Sequence, residues 1–193
     1  MYEYIKGQLI EVTPTYAVVE ASNIGYQVFI SLNSYQKIQT ISEVLLWTHF
    51  VIREDARSLY GFYDKEERTL FRHLISVNGV GSNTAMVMLS TFPTMELTQA
   101  IQTDDVNTLK SIKGIGAKTA QRILIDLKDK VGKIEGDTHI VASQNNTNKN
   151  EALSAMVMLG FNKKATEKVI DKIIKENPGL AVEPIIKLAL KSL

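Results

Sequence analysis

The feature that most restricts the fold of this chain is a short pattern that occurs twice, 35 residues apart. Val77, Asn78, Gly79, Val80, Gly81, Ser82, Asn83, Thr84 and Ala85 align with Ile112, Lys113, Gly114, Ile115, Gly116, Ala117, Lys118, Thr119 and Ala120, and Leu89 aligns with Leu124. Apolar positions that match on both flanks of a glycine pair mark a duplicated structural unit. The surrounding periodicity is helical from Lys65 onward: Leu70, Phe71, Leu74 and Ile75 share one face, then Ala85, Met88 and Leu89, then Leu97 and Ile101. Thr103, Asp104 and Asp105 offer oxygens to cap the free amides of a further helix start.

Each unit therefore reads helix, apolar-x-Gly-apolar-Gly, helix. Glycine admits positive φ and close approach, so the backbone turns sharply while Val80 or Ile115 plugs the core between the helices. The turn amides then face outward at the start of helices expected over roughly 82–90 and 117–130, where unpaired N–H groups and the helix dipole attract a phosphate. This is the helix-hairpin-helix device, which grips a DNA backbone without reading bases. The candidate DNA-binding residues are Gly79, Val80, Gly81, Ser82, Asn83 and Thr84 in the first unit. In the second they are Gly114, Ile115, Gly116, Ala117, Lys118 and Thr119, followed by Arg122.

A plain glycine turn between packed helices is the bland alternative for a single copy; duplication and the nearby cations favour DNA. A dinucleotide fingerprint would need Gly or Ala where Thr84 and Thr119 stand, and a P-loop would need glycine where Ala117 precedes Lys118.

Charge supports a local interface more than a globally basic protein. The net charge is +1, with four Lys/Arg against six Asp/Glu in residues 1–62, ten against ten in 63–140 and eight against five in 141–193. Lys110, Lys113, Lys118, Arg122, Lys128, Lys130 and Lys133 cluster against only Asp126 and Asp129. Zero cysteines exclude disulfides and thiolate metal sites, and His49, His73 and His139 lack ligand spacing, so no cofactor or metal is expected. No apolar run is long enough to span a bilayer and no export signal opens the chain, so a cytoplasmic protein without membrane contact is expected.

The fold class is α+β. Residues 1–63 are rich in Val, Ile, Tyr and Phe, with strands expected near 4–12, 16–21, 26–31, 44–52 and 58–62, a pattern that fits a small β-barrel such as an OB-fold. Glu54 and Asp55 fall at the tip of its last hairpin, between Arg53 and Arg57. Tyr26, Phe29 and Trp47 could stack bases, but the net charge of −2 over residues 1–62 favours packing in the barrel. The tandem hairpin unit occupies 64–140. Residues 141–150 are small and polar, as in a linker, and 151–193 recover helical periodicity in three short pieces punctuated by Gly160 and by Asn177, Pro178 and Gly179. The loop of Met158, Leu159, Gly160 and Phe161 resembles that of ubiquitin-associated-type bundles and offers an apolar patch to a protein partner, with Leu159 expected in the core.

Nearly the whole chain resembles the RuvA family. The resemblance rests on His49, Phe50 and Val51 with Arg53, Glu54, Asp55 and Ala56, then on Leu59, Tyr60, Gly61 and Phe62. It continues through Glu67, Arg68, Thr69, Leu70 and Phe71 and through both glycine turns. The resemblance implies an OB-fold barrel, tandem hairpins and a tethered three-helix domain at 151–193 that binds the RuvB motor ATPase through Met158, Leu159, Gly160 and Phe161. It further implies a homotetramer on the four arms of Holliday junction DNA, the RuvC resolvase as a partner, and work in branch migration, recombination, repair and the SOS response. Glu54 and Asp55 match the family's acidic pin, where fixed negative charge repels phosphates near the junction centre. Asn83 and Ala117 stand where members often carry lysine, which predicts fewer charge-assisted contacts at those two places.

The resemblance implies no catalytic site in this chain. Two other functions compete. A base-excision or nuclease enzyme needs a pocket with a catalytic Lys or Asp beyond one hairpin, and the duplication argues against it. A sequence-specific helix-turn-helix regulator needs side chains, not amides, aimed at the DNA.

Overall fold

The computed structural model describes residues 2–54, 56–131 and 144–192, in two compact units, Met1–Thr138 and His139–Leu193. In the first unit, strands β1 (Tyr4–Val12), β2 (Tyr16–Ala21), β3 (Ile24–Ile30), β4 (Glu43–Ile52) and β5 (Arg57–Phe62) close a barrel in the order β1-β2-β3-β5-β4. All pairs are antiparallel except β3 and β5, which meet through Phe29↔Tyr60 and Ile30↔Gly61. Strand β1 is shared between β2 and β4 and curls through a register shift at Leu9/Glu11. Gly7 makes this crossing possible, because a Cβ there would collide with the Glu20 carbonyl. Alternate residues point inward, and Ile5, Ala17, Val19, Val28, Ile30, Val44, Leu46 and Leu59 fill the barrel.

A short helix, α1 (Leu32–Ile38), closes the barrel between β3 and β4. The strand-rich reading of this region contained no such element. Its signal is Ser31, whose side chain accepts the Ser34 N–H as an N-cap, and its anchor is fully buried Ile38.

Helices α2 (Lys65–Ile75), α3 (Ser82–Thr91), α4 (Thr94–Gln102), α5 (Val106–Ser111) and α6 (Ala117–Val131) share a second core. The inward faces are those the 3.6-residue period indicates: Leu70, Phe71 and Leu74 on α2, Met88 and Leu89 on α3, Leu97 and Ile101 on α4. Asp105 caps α5 by accepting the amides of Asn107 and Thr108, and the Thr108 hydroxyl beside it holds its carboxyl below the usual range. Tyr60 and Phe62 of β5 belong to this helical core, their rings 5.1 and 4.9 Å from Phe71. The barrel and helices thus meet through continuous packing.

Two adjacent charged residues of α2 reinforce that junction. Glu67 is buried and accepts hydrogen bonds from the Ser31 and Ser34 hydroxyls of the barrel, the latter at 2.7 Å. Burial raises its pKa against the opposing effect of those bonds. The buried Arg68 guanidinium lies 2.6 Å from the Glu3 carboxylate, donates to the Glu3 carbonyl at 2.9 Å and sits over the Trp47 ring. Its hydrogen bond lowers the Glu3 pKa. Trp47 is therefore half-buried beneath cations instead of inside the barrel. Tyr26 does pack against the barrel core, whereas Phe29 is 38% exposed. The packing expectation fails for Phe29 because it lies on an outward position of β3, between inward Val28 and Ile30.

The second unit is a bundle of α7 (Gln144–Met158), α8 (Lys163–Glu176) and α9 (Val182–Ser192) around Ala152, Leu153, Met156, Ile170, Ile173, Ile185 and Ala189. The linker expected over 141–150 is corrected for 144–150, which are helical; 141–143 lie outside the described residues. Contacts across the bundle overcome the weak helix propensity there. Asn148 donates to the Leu180 carbonyl at 2.9 Å, and Lys149 lies 2.5 Å from the Asp171 carboxylate.

Candidate nucleic-acid interface

The two glycine hairpins adopt matching backbones. In the first, the Val80 amide donates to the Val77 carbonyl at 3.0 Å; in the second, the Ile115 amide donates to Ile112 at 3.1 Å. Gly79 and Gly114, each third in its turn, have φ of +94° and +93°, the conformation that a type II turn requires and that glycine permits. Val80 and Ile115 then enter the helical core at 5% and 6% exposure.

The second glycine of each pair has a different role. Gly81 has φ −84° and Gly116 is outside the positive-φ set, so neither needs glycine for its backbone angle. A Cβ at either would meet nothing within 4 Å. The first intrahelical bonds run from Ala85 N to Gly81 O and from Ala120 N to Gly116 O, both 2.9 Å. The amides of Ser82, Asn83 and Thr84, and of Ala117, Lys118 and Thr119, precede those bonds, and no side chain caps α3. Two sets of helix-start amides with open space beside the preceding glycine result, each at the positive end of a helix dipole.

Lys118 is exposed in the first turn of α6, and exposed Lys113 occupies the turn between Ile112 and Ile115. Lys113 is the counterpart of Asn78 in the repeat. Asn83 is exposed, with the Tyr60 hydroxyl donating to it at 3.5 Å. Arg122 is exposed, and a Cβ at Gly79 would lie 4.0 Å from its Nη1. The first hairpin is also tied to the barrel at its far end: Asn33 donates to the carbonyls of Leu89 and Phe92, at 2.5 and 2.9 Å.

Glu54 is exposed at the bend between β4 and β5, where the Arg53 amide donates to the Ala56 carbonyl at 2.8 Å. Its expected companion Asp55 lies outside the described residues. In the bundle, Met158 is 89% exposed and Leu159 61%. The core position expected for Leu159 is therefore corrected. Gly160 (φ +96°) ends α7 in a Schellman turn, with Phe161 N donating to Met156 O and Gly160 N to Val157 O, which swings Phe161 inward instead.

A cleft of about 720 Å³ runs between the barrel and α3, lined in part by Phe29, Tyr60, Met86 and Val87 with Asn83 and Arg53. Its lining includes neither carboxylate nor lysine among the described residues. Among those residues no group of three or more His, Cys, Asp or Glu could hold a metal, and no helix is long and apolar enough to cross a membrane.

A closed barrel fused to a duplicated amide-lined hairpin defines a class of DNA-backbone-binding proteins. Residues 1–61 match the family description RuvA N terminal domain, 71–129 the SAM-like helix-hairpin-helix tandem, and 147–193 the RuvA C-terminal domain. Proteins named Holliday junction branch migration complex subunit RuvA from Christiangramia forsetii and Flavobacterium psychrophilum are 53% and 49% identical, each over 100% of both chains. One of the same name from Bacteroides fragilis is 46% identical, again with full coverage of both. The chain belongs to the RuvA family.

Proposed function

We propose that this chain binds four-way Holliday junction DNA as the non-catalytic subunit of a branch-migration complex in homologous recombination and repair. The observation that carries this reading is the pair of in-register hairpins, each with free helix-start amides facing open space. Such sites hold phosphates by geometry and dipole, so binding follows the path of the DNA backbone more than its sequence. Four copies in a homotetramer would present these sites to all four arms, which is how a phosphate grip becomes selective for a junction. The Glu54 bend, with Asp55, acts as the acidic pin that keeps phosphates from closing over the crossover.

Strand movement requires energy from elsewhere. The exposed Met158–Leu159 corner of the bundle docks a RuvB-type ATPase, while a RuvC-type resolvase reaches the DNA held by the assembly. The chain works in the cytoplasm, where its DNA is.

Binding of a four-way junction and of linear duplex with the same arm sequences, compared across salt concentrations, tests the reading. Tighter binding to the junction, weakening steeply with salt, is expected. Equal affinity for both DNAs would overturn it.

A further inference from the structure

We infer that Arg122, carried by the second hairpin unit, supplies the cation for the phosphate site of the first. The inference rests on the DNA-binding reading above and concerns how that site is assembled. From Ser76 to Thr91 the first hairpin contains no Lys or Arg, and Asn83 occupies the place in its helix start where Lys118 stands in the second. Read alone, the first site has amides and a helix dipole but no cationic side chain. The fold changes this: the Arg122 guanidinium lies beside the first turn, with Nη1 4.0 Å from where a Gly79 Cβ would be. No described carboxylate pairs with it within 4.0 Å.

Position along α6 supports the same assignment. Arg122 comes five residues after Ala117, a rise of roughly 7.5 Å from the start of its own helix. Lys118 already lies in that first turn, so the second site has its own cation. Arginine suits the bridging place better than lysine, because its planar fork can hold two phosphate oxygens while its stem spans from one unit to the other.

A double-mutant cycle on junction affinity tests the assignment at fixed salt. Gly81→Val fills the open space before the first set of amides, and Gly116→Val does so at the second. Arg122→Gln is expected to weaken binding about 10-fold, the size of one charge-assisted contact. Combined with Gly81→Val it should cost little more than that change alone, whereas with Gly116→Val the losses should multiply. Asn83→Lys should restore most of the affinity lost in Arg122→Gln and little of that lost in Lys118→Glu. Coupling to Gly116→Val instead, or independence from both glycines, would overturn the assignment. If neither valine variant weakens binding, the hairpins are not phosphate sites, and both this inference and the reading beneath it fail.

Discussion

Alanine placed at the four hairpin glycines separates what the fold needs from what the ligand needs. At Gly79 and Gly114, φ near +94° and +93° lies outside the region comfortable for an L-residue, at a cost of about 1–2 kcal/mol. The stiffer unfolded chain returns roughly 0.4–1 kcal/mol of that. A net loss of about 1 kcal/mol per site corresponds to a fall in melting temperature of roughly 2–4 °C for a unit of this size. At Gly81 and Gly116 only the unfolded-state effect remains, since a Cβ meets nothing within 4 Å, so those variants should melt at or slightly above the parent temperature. Junction binding should not follow stability. A methyl group in the space before the amides obstructs a phosphate, and Gly81→Ala and Gly116→Ala should bind more weakly despite full stability. Thermal melts followed by circular dichroism and junction titrations by fluorescence anisotropy provide the two readouts. Equal destabilisation at all four positions would refute the division of roles, as would parent-like binding by the Gly81 and Gly116 variants.

Three further outcomes are expected. Burial raises the Glu67 pKa, so its favourable contribution is complete below the ordinary value of 4.5 and is lost as pH rises through the raised folded value. Urea titrations of parent and Glu67→Gln should therefore show the variant gaining relative stability from pH 4 to pH 8; a pH-independent difference would contradict this. Glu54→Gln with Asp55→Asn should tighten binding to duplex more than to junction, reducing selectivity in paired titrations. Weaker binding to both DNAs would return the bend to a solvated turn. Met158→Asp with Leu159→Asp should leave the bundle's melting temperature within about 2 °C, because surface changes usually cost under roughly 0.5 kcal/mol, yet abolish stimulation of the motor ATPase. Normal stimulation would remove that corner from the docking surface.

Local chemistry made much of this architecture legible. Richness in Val, Ile, Tyr and Phe, broken by turn residues, placed all five strands, and the repeat placed both hairpins because a type II turn leaves its glycine signature in any context. Tertiary relationships were harder to read. Glu67 sits three, four and seven residues before Leu70, Phe71 and Leu74, a spacing that marks it as inward-facing, but its serine partners are 36 and 33 residues away in the chain. Arg122 lies close to its own hairpin in sequence, and only the packing of α6 brings it beside Gly79. Residues 144–150 are polar enough to read as a linker, yet contacts from Asn148 and Lys149 help secure them as helix. Leu159 and Phe161 exchanged their expected places because the Schellman turn, not hydrophobicity, decides which side chain faces inward.

The sharing of β5 between the barrel and the helical core bears on where the chain can be cut. Tyr60 and Phe62 lie in the last strand before α2 but pack against Phe71 and the helices that follow, so a barrel fragment carries part of its neighbour's core with nothing to cover it. Exposed aromatic side chains along a strand favour self-association. A fragment ending just after Phe62 should therefore be less soluble than one ending after Val131, which contains the helical core in full.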